Sequence, residues 1–302
     1  MPEWHRQVSF KQIIMKISAF TFIKNGMILG FPFRESIRSV LPIVDEFVVN
    51  VGDSDDDTLE KIKEIGDPKI RIIRSHWNDK MRVGGYVYGQ QKMIAQFNCT
   101  GDWAFYLEGD EIVHEEDLQK IVDACRKHLP DERVEALTFD YYHFYGNANS
   151  YLDSPAWYRR ESRIIRNSIR SYAPDGLYWH VLTSKSKIAR YPNAVHTGAS
   201  IYHYGWVRSE EEMNRKSEHV QKYWNKNHKR IDYGEIDQQI IRLFTGSHPA
   251  IIREWLPTEA GVFRANPDHV LTRREQKHRL MLRLERWFGL ELSKKHFIAK
   301  KP

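Results

Sequence analysis

Cysteine is scarce in this sequence, and its scarcity excludes two common kinds of stabilised fold. Cys99 and Cys125 are the only cysteines in 302 residues, and neither belongs to a C-x-x-C pair or to a Cys/His zinc spacing. A multi-disulfide scaffold and a zinc finger are therefore excluded. Both thiols are predicted to be core residues, and the absence of a disulfide framework suits the reducing cytoplasm.

Long apolar runs and the common phosphate-binding motifs are also missing. No stretch reaches the roughly 18 apolar residues of a membrane span, and charged residues interrupt the N-terminal apolar segment, which argues against a signal peptide. We therefore expect a cytoplasmic protein, soluble or peripheral on the inner face of the membrane. Neither G-x-G-x-x-G nor G-x-x-x-x-G-K-[ST] occurs, so a Rossmann dinucleotide site and a P-loop lose support.

The composition that is present is that of a folded and mildly basic protein. Apolar residues make up 41% and charged residues 28%, which is not the composition of a disordered chain. The net charge is +6, and the excess lies mainly in residues 208–230 and from Arg273 onward. Such a balance suits nucleic acid, an anionic membrane or a phosphorylated substrate. No long Lys/Arg run carries it, so no nucleic-acid partner is predicted.

The first 140 residues alternate strand patterns with helix patterns. Strands are predicted at 13–23, 46–51, 69–74, 103–107 and 134–139, and helices at 31–41, 58–65, 86–98 and 115–129. This order predicts parallel βαβ units that bind ligands at the carboxyl ends of their strands. The predicted fold class is α/β, with a mostly parallel central sheet flanked by helices and a Rossmann-like nucleotide-binding half.

The second half of the sequence is less regular. Residues 141–158 are aromatic and rich in Gly and Asn, which favours a loop or binding surface over core. Strands are predicted at 161–166 and 186–191. Capping boxes begin two helices, at Ser209 with Glu212 and at Thr272 with Glu275. The first is predicted to run to about residue 228, and the second to end at Gly289.

These patterns predict one catalytic domain and a tail. The domain covers residues 1–240, with a donor half at about 13–140 and an acceptor half at about 141–240. Residues 241–302 form a helical, basic C-terminal extension. Its last helix, over residues 272–290, carries an apolar stripe that has two interpretations, core packing or peripheral contact with a membrane.

The segment Glu108-Gly109-Asp110-Glu111 is the most informative site in the sequence. Two carboxylates at i and i+2 directly follow the apolar strand WAFYL. Carboxylate oxygens suit Mg²⁺ or Mn²⁺, ions that usually keep substrate phosphates in their shell. Imidazole from His203 can complete such a shell, although a hydrogen-bonded histidine near aromatic rings is the alternative. Acidic loops are common, so the prediction of a metal site depends mainly on the apolar strand that precedes these carboxylates.

Other polar residues follow the first two predicted strands or precede a helix. Lys24 and Asn25 follow the first strand, and a cluster of four aspartates at 53–57 follows the second. Like charges this close need donors or a cation, so one carboxylate is a candidate for holding a nucleoside, and a solvated turn with a helix N-cap is the alternative. Arg82 precedes the helix at 86–98, a position that favours phosphate.

Several of these runs resemble inverting family-two glycosyltransferases. ISAFTFIKN (17–25) resembles their opening strand, and DEFVVN with SDDDT (45–58) resembles their second strand and its S-T-D-G-T-like turn. DWAFYLEGDE (102–111) resembles their D-x-D-E segment. Further along, RIIRN (163–167) and HYG (203–205) resemble the R-L-F-R-N and H-Y segments of bacterial cell-surface members.

The resemblance implies the GT-A fold, a nucleotide-sugar donor with UDP favoured, and in-line displacement that inverts the anomeric carbon. It implies that Asp56 contacts the nucleoside and that Glu108 and Asp110 hold Mn²⁺ or Mg²⁺ at the diphosphate. His203 is then the third metal ligand. The full set of predicted donor-binding residues is Thr21, Lys24, Asn25, Asp53, Asp56, Arg82, Gln91, Glu108, Gly109 and Asp110.

The sequence departs from the family pattern at three points. Glu108 replaces the usual first Asp, which keeps the charge and lengthens the reach, and Asn50-Val51 stands where an acidic residue often follows the second strand. No clear Glu-Asp or His-Glu pair marks the general base that an inverting reaction needs. Asp175, in the run APDGLYWH, is the candidate base, and a Pro-Asp-Gly turn is its alternative interpretation.

The expected function is metal-dependent transfer of a hexose-type sugar to a glycan or lipid-linked acceptor, in cell-surface polysaccharide synthesis. Aromatic residues at 141–158 would suit sugar stacking at the acceptor site, or packing. Two other functions stay open. One is a sugar-nucleotidyltransferase, although no glycine-rich nucleotide loop lies near the first strand. The other is a non-catalytic protein that binds glycan or nucleic acid on the same fold.

Overall fold

The computed structural model describes residues 15–81, 83–183, 188–224, 230–258 and 261–300. In chain order, the elements of the first half are β1 (Ile17–Ile23), α1 (Phe33–Val40), β2 (Glu46–Gly52), α2 (Thr58–Lys63), β3 (Ile70–Ser75), α3 (Tyr86–Phe97), β4 (Trp103–Tyr106), β5 (Glu111–Val113), α4 (Leu118–His128), β6 (Ala136–Tyr145) and β7 (Asn147–Leu152). Those of the second half are β8 (Arg160–Arg166), β9 (Ser171–Tyr172), β10 (His180–Leu182), β11 (Ala189–Arg190), β12 (Asn193–Trp206), α5 (Glu210–Gln221), β13 (Ile241–Leu243), α6 (Arg273–Phe288) and β14 (Ile298–Ala299). Short 3-10 turns occupy Leu41–Ile43, Val83–Gly85, Glu115–Asp117, Lys222–Trp224, Gln238–Ile240 and Ala250–Ile252.

The central sheet confirms the predicted α/β class. Its main path runs β13-β7-β6-β8-β4-β1-β2-β3, and the four strands from β4 to β3 are mutually parallel. The parallel order does not continue across the sheet, because β8 runs antiparallel to both β4 and β6, and β7 runs antiparallel to β6. The long β12 then pairs in parallel with β6 and antiparallel with β5. A separate small sheet has the order β11-β10-β9.

The strand β1 is buried on both faces, as its apolar run predicts. Ala19 and Ile23 pack into one core cluster, with residues of α1 and α4. Phe20 packs into a second cluster, with Met93 and Ala95 of α3. Successive side chains of a strand point to opposite faces, so this burial places helices on both sides of the parallel strands. The carboxyl end of β1 is thereby fixed at one edge of the sheet.

Local capping signals set both ends of α6, as the sequence predicts. Thr272 and Glu275 form a reciprocal capping box, and Gly289 ends the helix with a left-handed φ of 63°. The box at Ser209 and Glu212 begins α5 in the same way. That helix ends at Gln221 and continues as the turn Lys222–Trp224, and the rest of its predicted length lies outside the described residues. Of the strand predicted at 186–191, residues 188–191 are described, and β11 occupies Ala189–Arg190 among them.

The prediction of a loop at residues 141–158 is wrong for most of its length. β6 continues to Tyr145, and a turn at Gly146, with φ 71°, leads directly into β7. Phe144 is fully buried and stacks on Tyr204, with ring centroids 4.8 Å apart. These aromatic residues therefore belong to the core between the sheet and the C-terminal segments. They do so because they extend β6, a strand that is covered on both faces.

The residues after 240 pack on the sheet rather than standing apart from it. β13 pairs antiparallel with β7, and β14 pairs in parallel with β12. Leu282 of α6 joins a buried cluster with Tyr145 and Tyr233. The division of the chain at residue 240 stays a prediction. Within the described ranges, no helix is long and apolar enough to cross a lipid bilayer.

Candidate active site

A cavity of about 890 Å³ lies at the carboxyl ends of the parallel strands. Segments that follow β1, β3 and β4 line one side, and the end of β12 and the helix α5 line the other. This is the edge at which open α/β sheets bind ligands. The predicted site residues among its lining are Lys24, Asn25, Glu108, Gly109, Asp110, Asp175 and His203.

Arg163 binds two carboxylates of the acidic segment Glu108–Glu111 from inside the protein core. It is completely buried, and its guanidinium donates to both carboxylate oxygens of Glu111, at 2.9 and 2.6 Å. It also donates to Glu108 Oε1 at 3.0 Å. Burial, together with the negative charge of Glu111, raises the pKa of Glu108 to about 7 despite this guanidinium. Glu108 is thus held at the cavity wall by an arginine.

Asp110 is the acidic residue that meets other titratable groups inside the cavity. Its Oδ2 accepts a hydrogen bond from the Lys216 ammonium at 2.9 Å, and its Oδ1 lies 3.6 Å from His203 Nε2. Burial alone would raise the pKa of Asp110, but the charges of Lys216 and His203 hold it well below its usual range. Asp110 is therefore an ionised carboxylate between a lysine and a histidine.

A chain of hydrogen bonds fixes the orientation of the His203 ring. The carbonyl of Tyr158 can only accept, so His143 Nε2 donates to it at 2.8 Å. His143 Nδ1 must then accept from His203 Nδ1, 3.0 Å away. Burial, with the neighbouring His203, holds the pKa of His143 well below its usual range, which keeps this ring neutral. We assign the remaining nitrogen of His203, Nε2, as the one that faces Asp110.

Asp110 and His203 would supply two ligands to one divalent cation, with His203 in its neutral form. A carboxylate oxygen and an imidazole nitrogen converge in the cavity, and the hydrogen bond to His143 fixes the orientation of the His203 ring. Among the described residues, no group of three or more His, Cys, Asp or Glu side chains is placed to hold an ion. A cation here would therefore depend on substrate phosphates and water for the rest of its shell.

The loop that carries Asp175 is held against the cavity by two buried basic side chains, Lys92 and Arg163. Lys92 donates to the carbonyls of Gly176 and Leu177, at 3.2 and 3.1 Å, and Arg163 donates to Leu177 at 3.0 Å. Asp175 Oδ1 accepts from the Leu177 backbone N–H at 2.8 Å, so the predicted Pro-Asp-Gly turn is present. Burial, then the nearby Arg163, holds the pKa of Lys92 well below its usual range.

An aromatic wall closes one side of the cavity. Trp77 and Tyr88 meet edge to face, with ring centroids 5.5 Å apart, and Tyr88 stacks on Trp224 at 6.1 Å. Lys24 lies 5.8 Å from the Trp77 ring centre. Flat apolar faces beside a cation are suited to a nucleobase or a sugar ring.

Two predicted donor residues lie behind the cavity rather than in its lining. Thr21 points to the face of β1 opposite Phe22, and it is buried. Gln91 is buried in α3, where its side chain accepts from Asn50 Nδ2 at 2.9 Å and donates to the His76 carbonyl. These bonds join α3 to the sheet. Their part in donor binding stays a prediction.

The aspartates that follow β2 have different environments, and only some of them face the cavity. Asp56 accepts from the backbone of Ile28 at 2.8 Å and from the backbone of Thr58 at 3.0 Å, so its carboxylate joins the turn after β2 to the segment after β1. Asp53 is exposed and pairs with His76 at 2.7 Å. Asp55, which was not singled out from the sequence, lines the cavity and accepts from Asn25 Nδ2 at 3.1 Å. Arg82 lies outside the described residues.

Three residues of the site carry no local signal that sequence reasoning could use. Lys216 lies in the middle of a charged helix, and Trp77 follows a short strand without a motif. Arg163 belongs to the run RIIRN, which the family resemblance marked without assigning a role. The structure brings each of them to the acidic segment or the aromatic wall through the sheet order.

Comparison with known proteins gives a family match that covers half of the chain. The model of glycosyl transferase family 2 matches residues 32–182. An uncharacterized glycosyltransferase of Rickettsia felis is 32% identical over 116 residues, which cover 38% of this chain and 36% of the relative. One of Rickettsia conorii is 30% identical over 121 residues, which cover 40% and 38%. The chain thus spans less than two fifths of the length of these curated relatives.

Solved structures show weaker likeness. S. aureus TarS 1–349 matches with a TM-score of 0.40 and 15% identity, over 69% of this chain and 65% of that one. Glucosyl-3-phosphoglycerate synthase from Mycobacterium tuberculosis, in complex with Mn²⁺, uridine diphosphate and phosphoglyceric acid, matches with a TM-score of 0.32 and 20% identity, over 42% and 43%.

Proposed function

The chain belongs to glycosyl transferase family 2, and we propose that it transfers a sugar from a nucleotide-sugar donor to a hydroxyl group of a glycan or lipid-linked acceptor. The convergence of Asp110, His203 and Lys216 in one cavity at the carboxyl ends of parallel strands carries this proposal. The proposed setting is the synthesis of cell-surface polysaccharide, at the inner face of the membrane.

The shape and lining of the cavity support a donor of this class. Its volume of about 890 Å³ suits a nucleotide-sugar, because ligand pockets commonly enclose about 300–1,000 Å³. In our proposal the base lies against Trp77 and Tyr88, and the diphosphate lies near Lys216. UDP is the favoured nucleotide. Lys24 and Asn25, at the end of β1, complete the donor side.

The proposed reaction is a direct displacement with inversion. The acceptor oxygen forms a bond to the anomeric carbon while the bond from that carbon to the diphosphate oxygen breaks, and the acceptor proton passes to a carboxylate. Asp175 is the proposed base, since it lines the same cavity as Asp110 and its turn is held by Lys92 and Arg163. When bound at Asp110 and His203, with Glu108 nearby, Mn²⁺ or Mg²⁺ would neutralise charge on the departing diphosphate.

Calorimetric titration tests the donor half of the proposal. Nucleoside diphosphates and nucleotide-sugars are titrated into the chain with and without Mn²⁺. We expect one nucleotide class to bind, and Mn²⁺ to tighten that binding. In Asp110→Asn the Mn²⁺ dependence should disappear, and sugar transfer should fall by about 100-fold or more with the fold retained. Asp123→Asn, at an exposed position of α4, is the matched control and should match the wild type.

Two outcomes would replace the proposal with the functions that the sequence left open. Release of pyrophosphate from a nucleoside triphosphate in the presence of a sugar phosphate would identify a nucleotidyltransferase. A folded chain that binds no nucleotide would favour a non-catalytic binding protein, and glycan arrays would then be the next measurement.

A further inference from the structure

The outward face of α6 carries large apolar side chains, of which three are exposed and Leu284 is half-buried. Leu280, Leu284, Trp287 and Phe288 are spaced at i, i+4, i+7 and i+8, which places them along one face of a helix. We call these four residues the outer stripe. Trp287 is 74% exposed, Phe288 67% and Leu280 55%.

The opposite face of the same helix explains how α6 is held. Leu282 is buried in the cluster of Tyr145 and Tyr233, and Glu285 is buried in an ion pair with Arg159 at 2.8 Å. The helix is therefore anchored to the domain by its inner face. Its orientation leaves Leu280, Trp287 and Phe288 of the outer stripe exposed to solvent, and Leu290, just beyond the helix, adds a further side chain that is 55% exposed.

Cations surround the outer stripe, and their charge is not neutralised within the domain. The exposed basic residues on α6 or just after it include Arg273, Lys277, Arg283, Arg286 and Lys294. Across the ranges that the structure describes, none of the five forms an ion pair. The three acidic residues of the segment pair elsewhere, Glu275 with His269, Glu285 with Arg159 and Glu291 with Lys295. The surface is thus both apolar and positively charged.

We propose that the outer stripe and its cations dock on the surface of an anionic lipid bilayer. In this arrangement α6 lies in the plane of the interface, with Trp287 and Phe288 at the boundary between headgroups and acyl chains. By the 100° turn per residue of an α-helix, Arg273 and Lys277 continue the same face towards the helix N-terminus and Arg283 lies beside it, so all three meet anionic headgroups. The inference goes beyond the proposed transfer reaction and does not depend on it.

An anionic bilayer fits this surface better than two other partners. A second copy of the chain, docked stripe to stripe, would bring ten like charges together, which opposes association. Nucleic acid would meet the cations but would leave the aliphatic side chains of Leu280 and Leu284 without apolar contacts. A lipid surface satisfies both kinds of side chain at once.

Co-sedimentation with lipid vesicles tests the proposal. We expect the full chain to bind vesicles that contain phosphatidylglycerol and not vesicles of phosphatidylcholine alone. Binding should weaken when the salt concentration rises from about 0.1 to 0.5 M, because the Debye length falls. Failure to bind anionic vesicles at low salt, or equal binding to neutral ones, overturns the proposal.

Variants at exposed positions distinguish vesicle binding by the outer stripe from non-specific binding by any exposed aromatic side chain. Trp287→Ser combined with Phe288→Ser should bind anionic vesicles at least about tenfold more weakly, since two apolar anchors are lost. Phe97→Ser is the matched control, because Phe97 is 75% exposed at the end of α3, and it should bind as the wild type does. Equal binding by the double variant contradicts the assignment. Self-association or RNA binding that the double variant abolishes, without vesicle binding, would assign the surface to that partner instead.

Discussion

The Lys216 ammonium lies 2.9 Å from Asp110 Oδ2, at the carboxylate that also faces His203. Lys216 is well buried, and its side chain also lies over the ring of Phe31, 4.5 Å from the ring centre. A positive charge already held at Asp110 has two consequences. It competes with a metal ion for the carboxylate, and it offers the donor diphosphate a counter-charge.

Lys216→Met should therefore change metal and nucleotide binding in opposite directions. We expect Mn²⁺ to bind about tenfold more tightly, because one oxygen of Asp110 is freed, and nucleoside diphosphate without metal to bind about tenfold more weakly, each a change of about 1.4 kcal/mol. Calorimetry measures both. Lys222→Met is the control, since Lys222 lines the same cavity and lies over Tyr223. Unchanged Mn²⁺ affinity in Lys216→Met would contradict the competition.

Arg163→Met should destabilise the protein by about 3–5 kcal/mol, because it leaves the buried Glu111 carboxylate without its cation. Arg163→Lys should recover little of that loss, since one ammonium cannot reproduce the three-way contact with Glu108, Glu111 and Leu177. Chemical denaturation measures the free energy of unfolding. Arg133→Met removes a well-aligned but exposed pair with Asp131 and should leave the midpoint unchanged. A similar midpoint for Arg163→Met and the wild type would refute the structural role.

Gly85→Ala should weaken donor binding as well as stability. Gly85 has φ +73°, and an added Cβ would lie 2.7 Å from the Trp224 ring at the cavity wall. Gly84→Ala is a close control, because Gly84 has φ +59° but no atom within 4 Å of an added Cβ. Both variants should lose about 1–2 kcal/mol from backbone strain. The prediction fails if thermal unfolding and nucleotide titration give the same result for the two.

The N-terminus of α6 should respond to pH through His269. Burial alone would lower the pKa of His269, but Glu275 and Glu235, each 3.0 Å away, raise it above 6.5. A raised histidine pKa stabilises the fold fully below pH 6.5, and this stabilisation is lost as pH rises through the folded-state pKa. Thermal unfolding of His269→Gln should therefore show a smaller fall in stability over that range than the wild type.

His278 provides the opposite sign on the same helix. Burial lowers its pKa, so His278 costs stability at acid pH, and the cost disappears as pH rises towards 6.5. His278→Gln should therefore gain stability relative to the wild type at low pH only. Parallel pH profiles for the two variants would contradict both assignments.

The elements predicted well from the sequence are those with local causes. The strand at Ile17–Ile23 and the strand at Trp103–Tyr106 are continuous apolar runs, and such runs are buried wherever the sheet forms. The ends of α6 follow from a capping box and a glycine, which act within one turn. The acidic segment at Glu108–Glu111 then lies at the cavity because it directly follows a buried parallel strand.

The errors and omissions arose where distant segments meet. The segment 141–158 has the composition of a loop, but sheet pairing on β6 and β7 makes most of it core. The backbone partners of the Asp56 carboxylate, Ile28 and Thr58, also went unpredicted, and its contact with a nucleoside stays a prediction. Neither outcome can be derived from residue type, because each depends on which donors the folded chain brings near.

The sequence by itself determined the α/β order, the helix caps and the place of the acidic segment, because these depend on apolar periodicity and on hydrogen bonds within a few residues. Only the tertiary structure decided the partners of that segment. Lys216 is 106 residues away from Asp110 along the chain, and Arg163 is 55 residues away from Glu108. They meet because β12 runs beside β5, with His203 opposite Glu111, and β8 runs beside β4. Strand pairing of this kind is set by how the whole sheet buries its faces, which no local pattern specifies.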